Sequence, residues 1–205
     1  MVERQLVPEG ISDPRVLEAM ERIPRHCFMP DSTRALAYAP QAVDIGEGQT
    51  ISQPLMVASM TQALGLGGRE SVLEIGTGSG YQAAILGWLA GRVVSIERIE
   101  SLADDAAAEL HRQGLGNVEV LVGDGSAPTF LSEKFDRILV TAAAPRLCSA
   151  WLEHLRDPGV LVCPVGDRHL QVIKVVHRED GRDRVETGTA CRFVPLIGRG
   201  GFGEG

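Results

Sequence analysis

Three carboxylates around a glycine-rich turn are the residues of this chain best placed by type and spacing to do chemistry. In "VLEIGTGSGYQAAIL", Gly76, Gly78 and Gly80 form a Gly-x-Gly-x-Gly turn between an apolar run ending at Ile75 and a helical pattern starting at Tyr81. Strand, glycine turn and helix in that order make a nucleotide-cofactor site, because glycine lets the backbone approach a ligand closely. A dinucleotide fingerprint would need its third glycine at position 81, where Tyr81 stands. Glu74, two residues ahead of the first glycine, would repel a pyrophosphate. A phosphate-free cofactor with a cationic end suits that carboxylate, and S-adenosyl-L-methionine, with its ammonium and sulfonium, has those properties. Glu97 in "VVSIERI" closes the next strand, where it can accept both ribose hydroxyl hydrogens. Asp124 in "VGDGSA" closes the following one, placed to accept from the adenine amino group while Gly125 lets the base lie close.

A second candidate lies upstream, in "GEGQTISQP" at residues 46 to 54. A nucleophilic serine needs a base within hydrogen-bond reach, and none of His26, His111, His154, His169 and His177 carries a partner signature for Ser52. A carboxylate acceptor needs no base, since with an unperturbed pKa of roughly 4 it is already ionised at neutral pH. Ser52, Gln53 and Pro54 also read as the start of a helix, with Ser52 as its N-cap. The two roles are compatible, because a helix N-terminus attracts anions and Ser52 could donate a hydrogen bond to a carboxylate held there.

These groups require an α/β framework to converge. "SVLEI", "RVVSI", "VEVLV", "FDRILVT" and "VLVCPV" read as strands, alternating with helical patterns in "YQAAILGWLA", "ESLADDAAAELHRQG" and "LCSAWLEHL". Such alternation predicts a doubly wound, mostly parallel sheet. Ahead of it, "SDPRVLEAMERI" predicts a short amphipathic helix with a Ser or Asp cap, and "PLMVASMTQALGL" a helix beginning just beyond Ser52, with an irregular stretch between them. After it, two β-rich runs around a Gly turn in "HREDGRDRVE" predict an antiparallel pair at the sheet edge, and the Gly-rich tail "GRGGFGEG" is expected to fray. One domain is expected: a helical cap and active-site segment over 1–66, a cofactor-binding core over 67–166 and the strand pair with its tail over 167–205. "VTAAAP" should line the floor of the site with Ala142, Ala143 and Ala144.

The net charge of -7 disfavours nucleic acid or an anionic membrane as partner, since both need clustered Lys and Arg. Aromatic content of only 4% weakens a base-methylating role further. The N-terminus is charged and lacks an apolar signal region, and no run of about eighteen apolar residues occurs, so a cytoplasmic protein is expected. Cys27, Cys148, Cys163 and Cys191 lie far apart without a C-x-x-C pair, which predicts free thiols and no metal.

"GQTISQP", "VLEIGTGSGYQAAIL", "SIERI", "GDG", "VTAAAP", "PVG" and "RFVPLIG" occur in the order found in the protein-L-isoaspartate (D-aspartate) O-methyltransferases, and the chain resembles that family over nearly its whole length. The glycine loop belongs to methyltransferases at large, whereas "TISQP" and "VPL" are specific to this family. The resemblance implies a Rossmann-like methyltransferase that carries a methyl group from S-adenosyl-L-methionine to the free α-carboxylate of L-isoaspartyl residues in damaged peptides and proteins, releasing S-adenosyl-L-homocysteine. It implies Ser52 in the active site and Thr50 near the cofactor. Gly76 and Gly78 would lie beside the methionine moiety, and Glu97, Asp124 and Gly125 on the ribose and adenine. Backbone near Val194 and Pro195 would lie beside the peptide. Two departures are Ile197, where many members have threonine, and Val57, where some have histidine. A monomer is expected. Two rival readings stand beside this one: a small-molecule carboxyl or hydroxyl methyltransferase, which would not need the "RFVPLIG" run for backbone pairing with a peptide, and a non-catalytic S-adenosylmethionine-binding module, which would bind without turnover.

Overall fold

The computed structural model describes residues 1–203, and it builds the site on a seven-stranded sheet that changes direction in its middle. The strands are β3 (Ser71–Ile75), β4 (Arg92–Glu97), β5 (Val118–Val122), β6 (Phe135–Val140), β7 (Leu155–Gly166), β8 (Gln171–Glu179) and β9 (Arg182–Cys191). Their order is β5-β4-β3-β6-β7-β8-β9. The chain winds outward from β3 through β4 to β5, then returns to place β6 on the other side of β3. That reversal opens a crevice at the carboxyl ends of β3 and β6, where ligands bind in open α/β sheets. Pairing is parallel from β5 to β7 and antiparallel from β7 to β9.

Burial follows from that topology. Val72, Leu73, Val93, Val94, Ile138, Leu139 and Val140 are all fully buried, because helices cover both faces of the central parallel strands. Helix α3 (Tyr81–Leu89) and helix α4 (Glu100–Arg112) follow β3 and β4. Apolar side chains form one cluster with α3 and the N-terminal segment, and a second around Trp151, Phe135 and Leu161 on the opposite side. Strand β9, at the edge, is exposed until Cys191 and carries charges that blunt it against further pairing. Its hairpin with β8 turns at Asp180 and Gly181, both at positive φ.

The N-terminal residues form a second layer beside the sheet. Helix α1 (Pro14–Arg22) starts at Asp13, whose Oδ1 accepts from the Arg15 N–H at 2.9 Å, so the cap is the aspartate and not Ser12. Helix α2 (Pro54–Leu64) ends at Gly65 in the left-handed conformation. Between them the sequence predicts no regular structure, yet β1 (Val43–Gly46) and β2 (Gln49–Ile51) pair as a small hairpin. Strands of four and three residues are too short to show an alternating pattern, and the turn is made by Gly46, Glu47 and Gly48 at positive φ.

Two other expectations are corrected. Helix α5 covers only Ser149–Glu153, because Leu155 already belongs to β7. The tail does not fray through residue 203: the Arg199 N–H donates to Asp124 Oδ2 at 3.0 Å, the Gly200 N–H to Ser126 Oγ at 2.9 Å and the Phe202 N–H to the Leu196 carbonyl at 2.7 Å. Low apolar content made these residues look loose, but their backbone N–H groups satisfy polar side chains that would otherwise lack donors. Glu204 and Gly205 lie outside the described residues.

Candidate active site

A cleft opens at the carboxyl ends of β3 and β4, between the glycine loop, the start of α2 and residues 193–197. One wall is the loop after β3. The Gly76 and Thr77 N–H groups both donate to the Ile96 carbonyl, at 2.8 and 3.3 Å, which bends the chain sharply out of the sheet. Gly76 has φ +98°, and a Cβ there would lie 2.5 Å from Thr141 Oγ1, so only glycine fits. The Thr141 hydroxyl in turn donates to the Ile75 and Gly76 carbonyls, at 2.9 and 2.5 Å. The resulting cradle is floored by backbone with no side chain to fill it.

Glu97 holds the cradle's far side. Its Oε2 accepts from the Gly78 N–H at 2.9 Å, and its Oε1 from the N–H groups of Arg98 and Ile99 at 2.9 and 3.1 Å. The carboxylate is 7% exposed and faces the cleft, with a lone pair on Oε2 left for a ribose hydroxyl. Glu74 behaves differently. It is 0% exposed, does not line the cleft, and accepts from Ser95 Oγ at 2.5 Å, Ser95 lying 2.5 Å from Thr77 Oγ1. Burial, the largest cause, raises its carboxyl to about 8 against the opposing Ser95 hydroxyl and with a smaller push from the charge of Glu97. Side chains alternate along a strand, and Glu74 points beneath the loop, so a direct contact between Glu74 and a cofactor cation has no support in this geometry.

The third acid is also occupied. Asp124 Oδ1 accepts from the Ser126 N–H and hydroxyl, at 2.9 and 2.5 Å, and Oδ2 from the Arg199 N–H. Burial pushes its carboxyl up, but the hydrogen bonds from Ser126 and Arg199 outweigh that and hold it below the ordinary carboxylate value. A Cβ on Gly198 would collide with it, so the tail lies directly on this side chain. Gly123 and Gly125 line the cleft, whereas the Asp124 side chain does not.

The opposite wall carries Thr50 and Ser52 from the segment between β2 and α2. The residue capping α2 is Gln53, and no side chain caps the helix, so the cap expected at Ser52 is one position off. Pro54 at the first helical position sets the helix start, and the Ser52 hydroxyl makes no hydrogen bond to a described residue. It is therefore available to a ligand, beside the positive end of the α2 dipole. No histidine among the described residues lines the cleft.

Val194 and Pro195 line the third side. They follow β9 as an irregular run held by Ala143, whose N–H donates to the Val194 carbonyl and whose carbonyl accepts from the Leu196 N–H, both at 2.8 Å. Ala143 is fully buried and acts through this backbone clamp, while Ala142 faces the cleft, so the expected alanine floor reduces to Ala142. Pairing between Ile197 and Phe202 closes the outer edge beyond Leu196, and the Phe193 N–H donates to Gln171 Oε1 at 2.8 Å, so the Phe193 carbonyl, the Val194 N–H and the Pro195 carbonyl are what this run leaves for a peptide. Sequence reasoning missed Met56, Met60, Tyr81, Gln82 and Ile99, which are also among the lining residues. Their types are those of ordinary core residues, and only the fold turns them toward the cleft.

A sheet of this order, with a glycine cradle and an acid closing the next strand at the switch point, defines an α/β protein of the methyltransferase class. A model of the family described as protein-L-isoaspartate (D-aspartate) O-methyltransferase matches residues 1–201, and the chain belongs to this family. It is 49% identical over 204 residues to a protein-L-isoaspartate O-methyltransferase of Geobacter metallireducens, covering 99% of this chain and 94% of that one. It is 50% identical over 202 residues to its counterpart in Methanoregula boonei, covering 98% and 93%. Among solved structures, a protein-L-isoaspartate O-methyltransferase superposes with TM-score 0.83 at 28% identity, covering 98% of this chain and 67% of that one. A Plasmodium falciparum structure described as a putative enzyme of this kind, in complex with S-adenosyl-L-homocysteine, shares the fold at TM-score 0.82 and 22% identity over 96% of both chains.

Proposed function

We propose that this chain is a protein repair methyltransferase that methylates the free α-carboxylate of L-isoaspartyl residues, using S-adenosyl-L-methionine. The observation that carries the reading is the cleft itself, which joins a side-chain-free cradle and an oriented carboxylate on one wall to a free serine hydroxyl on the other. The cradle fits the methyl donor: Gly76 and Gly78 admit the methionine moiety, Glu97 can accept from a ribose hydroxyl, and Gly125 leaves room for the base. When bound, S-adenosyl-L-methionine supplies an electrophilic methyl group on a sulfonium.

The protein's share of the chemistry is positioning. The substrate carboxylate is ionised at neutral pH, with an unperturbed pKa of roughly 4, so no residue has to remove a proton. Ser52 donates a hydrogen bond to one carboxylate oxygen and leaves the other free to attack, while the N-terminal end of α2 offsets the anion's charge in an acidic protein. Residues Phe193 to Pro195 hold the peptide backbone, which is one methylene longer at an isoaspartyl linkage. That difference selects the linkage, because misplacement of about 1 Å can lower a rate on the order of a hundredfold. After release, the neighbouring backbone nitrogen attacks the ester, expels methanol and closes a succinimide, whose hydrolysis returns part of the material to normal aspartate.

The test is methanol release from an isoaspartyl peptide beside its aspartyl twin. Strong preference for the isoaspartyl form and a base-labile product are expected. Equal methylation of both, or an ester stable to mild base, would replace this reading with the small-molecule methyltransferase. Binding of S-adenosyl-L-homocysteine with no turnover would leave only a binding module.

A further inference from the structure

Arg25 carries a charge that the fold itself does not explain. It lies in the turn Arg25–Phe28 after α1, is 0% exposed, and pairs with no carboxylate among the described residues. Its Nε donates to the Ala37 carbonyl at 2.7 Å and its Nη2 to the Ser52 carbonyl at 2.7 Å, while Nη1 has no partner. The guanidinium sits 4.8 Å from the ring centroid of Tyr81, the first residue of α3. Burial lowers its pKa to about 10, which leaves it protonated at neutral pH.

An isolated buried cation is costly even after relaxation, and an unpartnered buried donor adds to that. A neutral donor could hold two carbonyls without the cost of burying a charge. What distinguishes Arg25 is what its fork joins: the 34–38 segment, the Ser52 peptide and the residue that ends the glycine loop. Ser52 precedes the cap of α2 and has no side-chain bond to fix it, so its conformation depends on how its own peptide is held. Of the bonds among the described residues, the one from Arg25 Nη2 holds that carbonyl.

We propose that Arg25 is a positioning residue for the methyl transfer: its planar fork fixes the Ser52 peptide against the glycine-loop side of the cleft, and so aims the Ser52 hydroxyl at the substrate carboxylate. The role rests on the functional reading above. The rigid fork matters, because an ammonium presents its donors from one nitrogen and cannot reach both carbonyls in the same geometry. The uncompensated charge acts in the same direction, since it raises the potential at the end of the cleft where an anion must dock.

The test is a double-mutant cycle on the full chain, with Arg25→Lys and Ser52→Ala, read by kcat and KM on an isoaspartyl peptide and by S-adenosyl-L-homocysteine affinity. Arg25→Lys is expected to lower kcat by about tenfold or more while product affinity stays within about threefold. In the Ser52→Ala background, the same lysine substitution should cost less than about threefold, because the group it positions is gone. Arg25→Gln, which keeps one neutral donor, serves as the second variant and should show the same non-additivity with a larger loss. Equal losses with and without Ser52 would overturn the role of Arg25 while leaving the functional reading intact. If both variants lose S-adenosyl-L-homocysteine binding along with their folded signal, Arg25 is a fold residue and the proposal fails. Lack of wild-type turnover on the isoaspartyl peptide would instead remove the functional reading, and this role with it.

Discussion

The two walls of the cleft solve opposite electrostatic problems. The cofactor side concentrates acids: Glu97 lines the cleft, with Glu74 beneath the loop and Asp124 behind the tail. Each is already engaged by hydroxyl or backbone donors, and Glu74 is held largely neutral at pH 7 by burial. The acceptor wall contains the helix start of α2 and, beneath it, the buried Arg25 cation, with a serine hydroxyl left uncommitted. A wall whose acids are mostly held by the protein's own donors, with Glu74 Oε1 the buried oxygen left without a partner among the described residues, suits a ligand that is always the same. An acceptor wall with one free donor and a local positive field suits an anion presented on peptides of varied sequence. Negative charge over the whole molecule is thus compatible with binding a carboxylate, provided the cation is local and dry.

The strongest way to break this contrast is through Glu74. Its folded pKa, about 8, lies above its ordinary value of 4.5. Between those values the folded state holds a proton that the unfolded state has lost, so stability falls as pH rises through the window, at up to about 1.4 kcal/mol per pH unit. Above the window the full penalty is present. Glu97 is the neighbouring charge that adds to it. Glu74→Gln keeps an acceptor for Ser95 and removes the titration, so chemical denaturation at pH 5 and pH 8 should show a much flatter dependence than wild type. An identical slope in the two proteins would show that Glu74 ionises freely in the fold.

Next in size is Glu97→Gln. The amide offers one acceptor oxygen where the carboxylate uses two to accept from three backbone N–H groups, and charge-assisted bonds contribute roughly 1.5–3 kcal/mol each. Affinity for S-adenosyl-L-homocysteine should fall on the order of ten- to a hundredfold, with a smaller change in kcat at saturation. Calorimetric titration measures this directly, and an unchanged dissociation constant would leave Glu97 as a brace for the loop alone. On the other wall, Ser52→Ala should leave that affinity and the melting temperature nearly unchanged, since the hydroxyl bonds to no described residue. Peptide methylation should drop roughly ten- to a hundredfold, the size of one hydrogen bond to a charged group. A loss of stability with full activity would assign Ser52 to the fold.

Much of the framework was legible because its signals are local. The apolar runs from "SVLEI" to "VLVCPV" name the parallel strands, and the glycine spacing places the cradle at the end of one of them. Sequence position also brings Ser52 and Glu97 near, since both must lie at the carboxyl ends of strands or beside them. What could not be read depends on direction and distance. Glu74 occupies the expected position on β3, but the alternation of the strand decides that it points under the loop. Arg25 looks like one basic residue among twenty Lys and Arg, and only the packed structure shows it dry beneath Ser52. The tail looked free because its glycines predict little burial, while its backbone N–H groups, invisible to composition, are what Asp124 and Ser126 need.

The smallest expected effect concerns that tail and separates two uses of one carboxylate. Asp124 was placed by sequence at the adenine end of the site, yet its oxygens accept from Ser126 and Arg199. In Asp124→Asn, the amide oxygen can still accept from Ser126, but the amide nitrogen would face the Arg199 N–H, donor against donor. Losing that bond and opposing two donors should cost about 1–3 kcal/mol locally. The cost falls on a short run held to the body by a few backbone bonds, so the global melting temperature should move little. Hydrogen exchange at Arg199, Gly200 and Phe202 should therefore accelerate on the order of ten- to a hundredfold, while affinity for S-adenosyl-L-homocysteine changes by less than about threefold. The reverse pattern, intact protection of the tail with a large loss of affinity, would mean that Asp124 turns to the adenine when ligand is present and that the tail holds its place by other contacts. The cofactor wall would then share with the acceptor wall a group that waits for its ligand, and the contrast between a satisfied wall and an open one would narrow to Glu74 and Glu97.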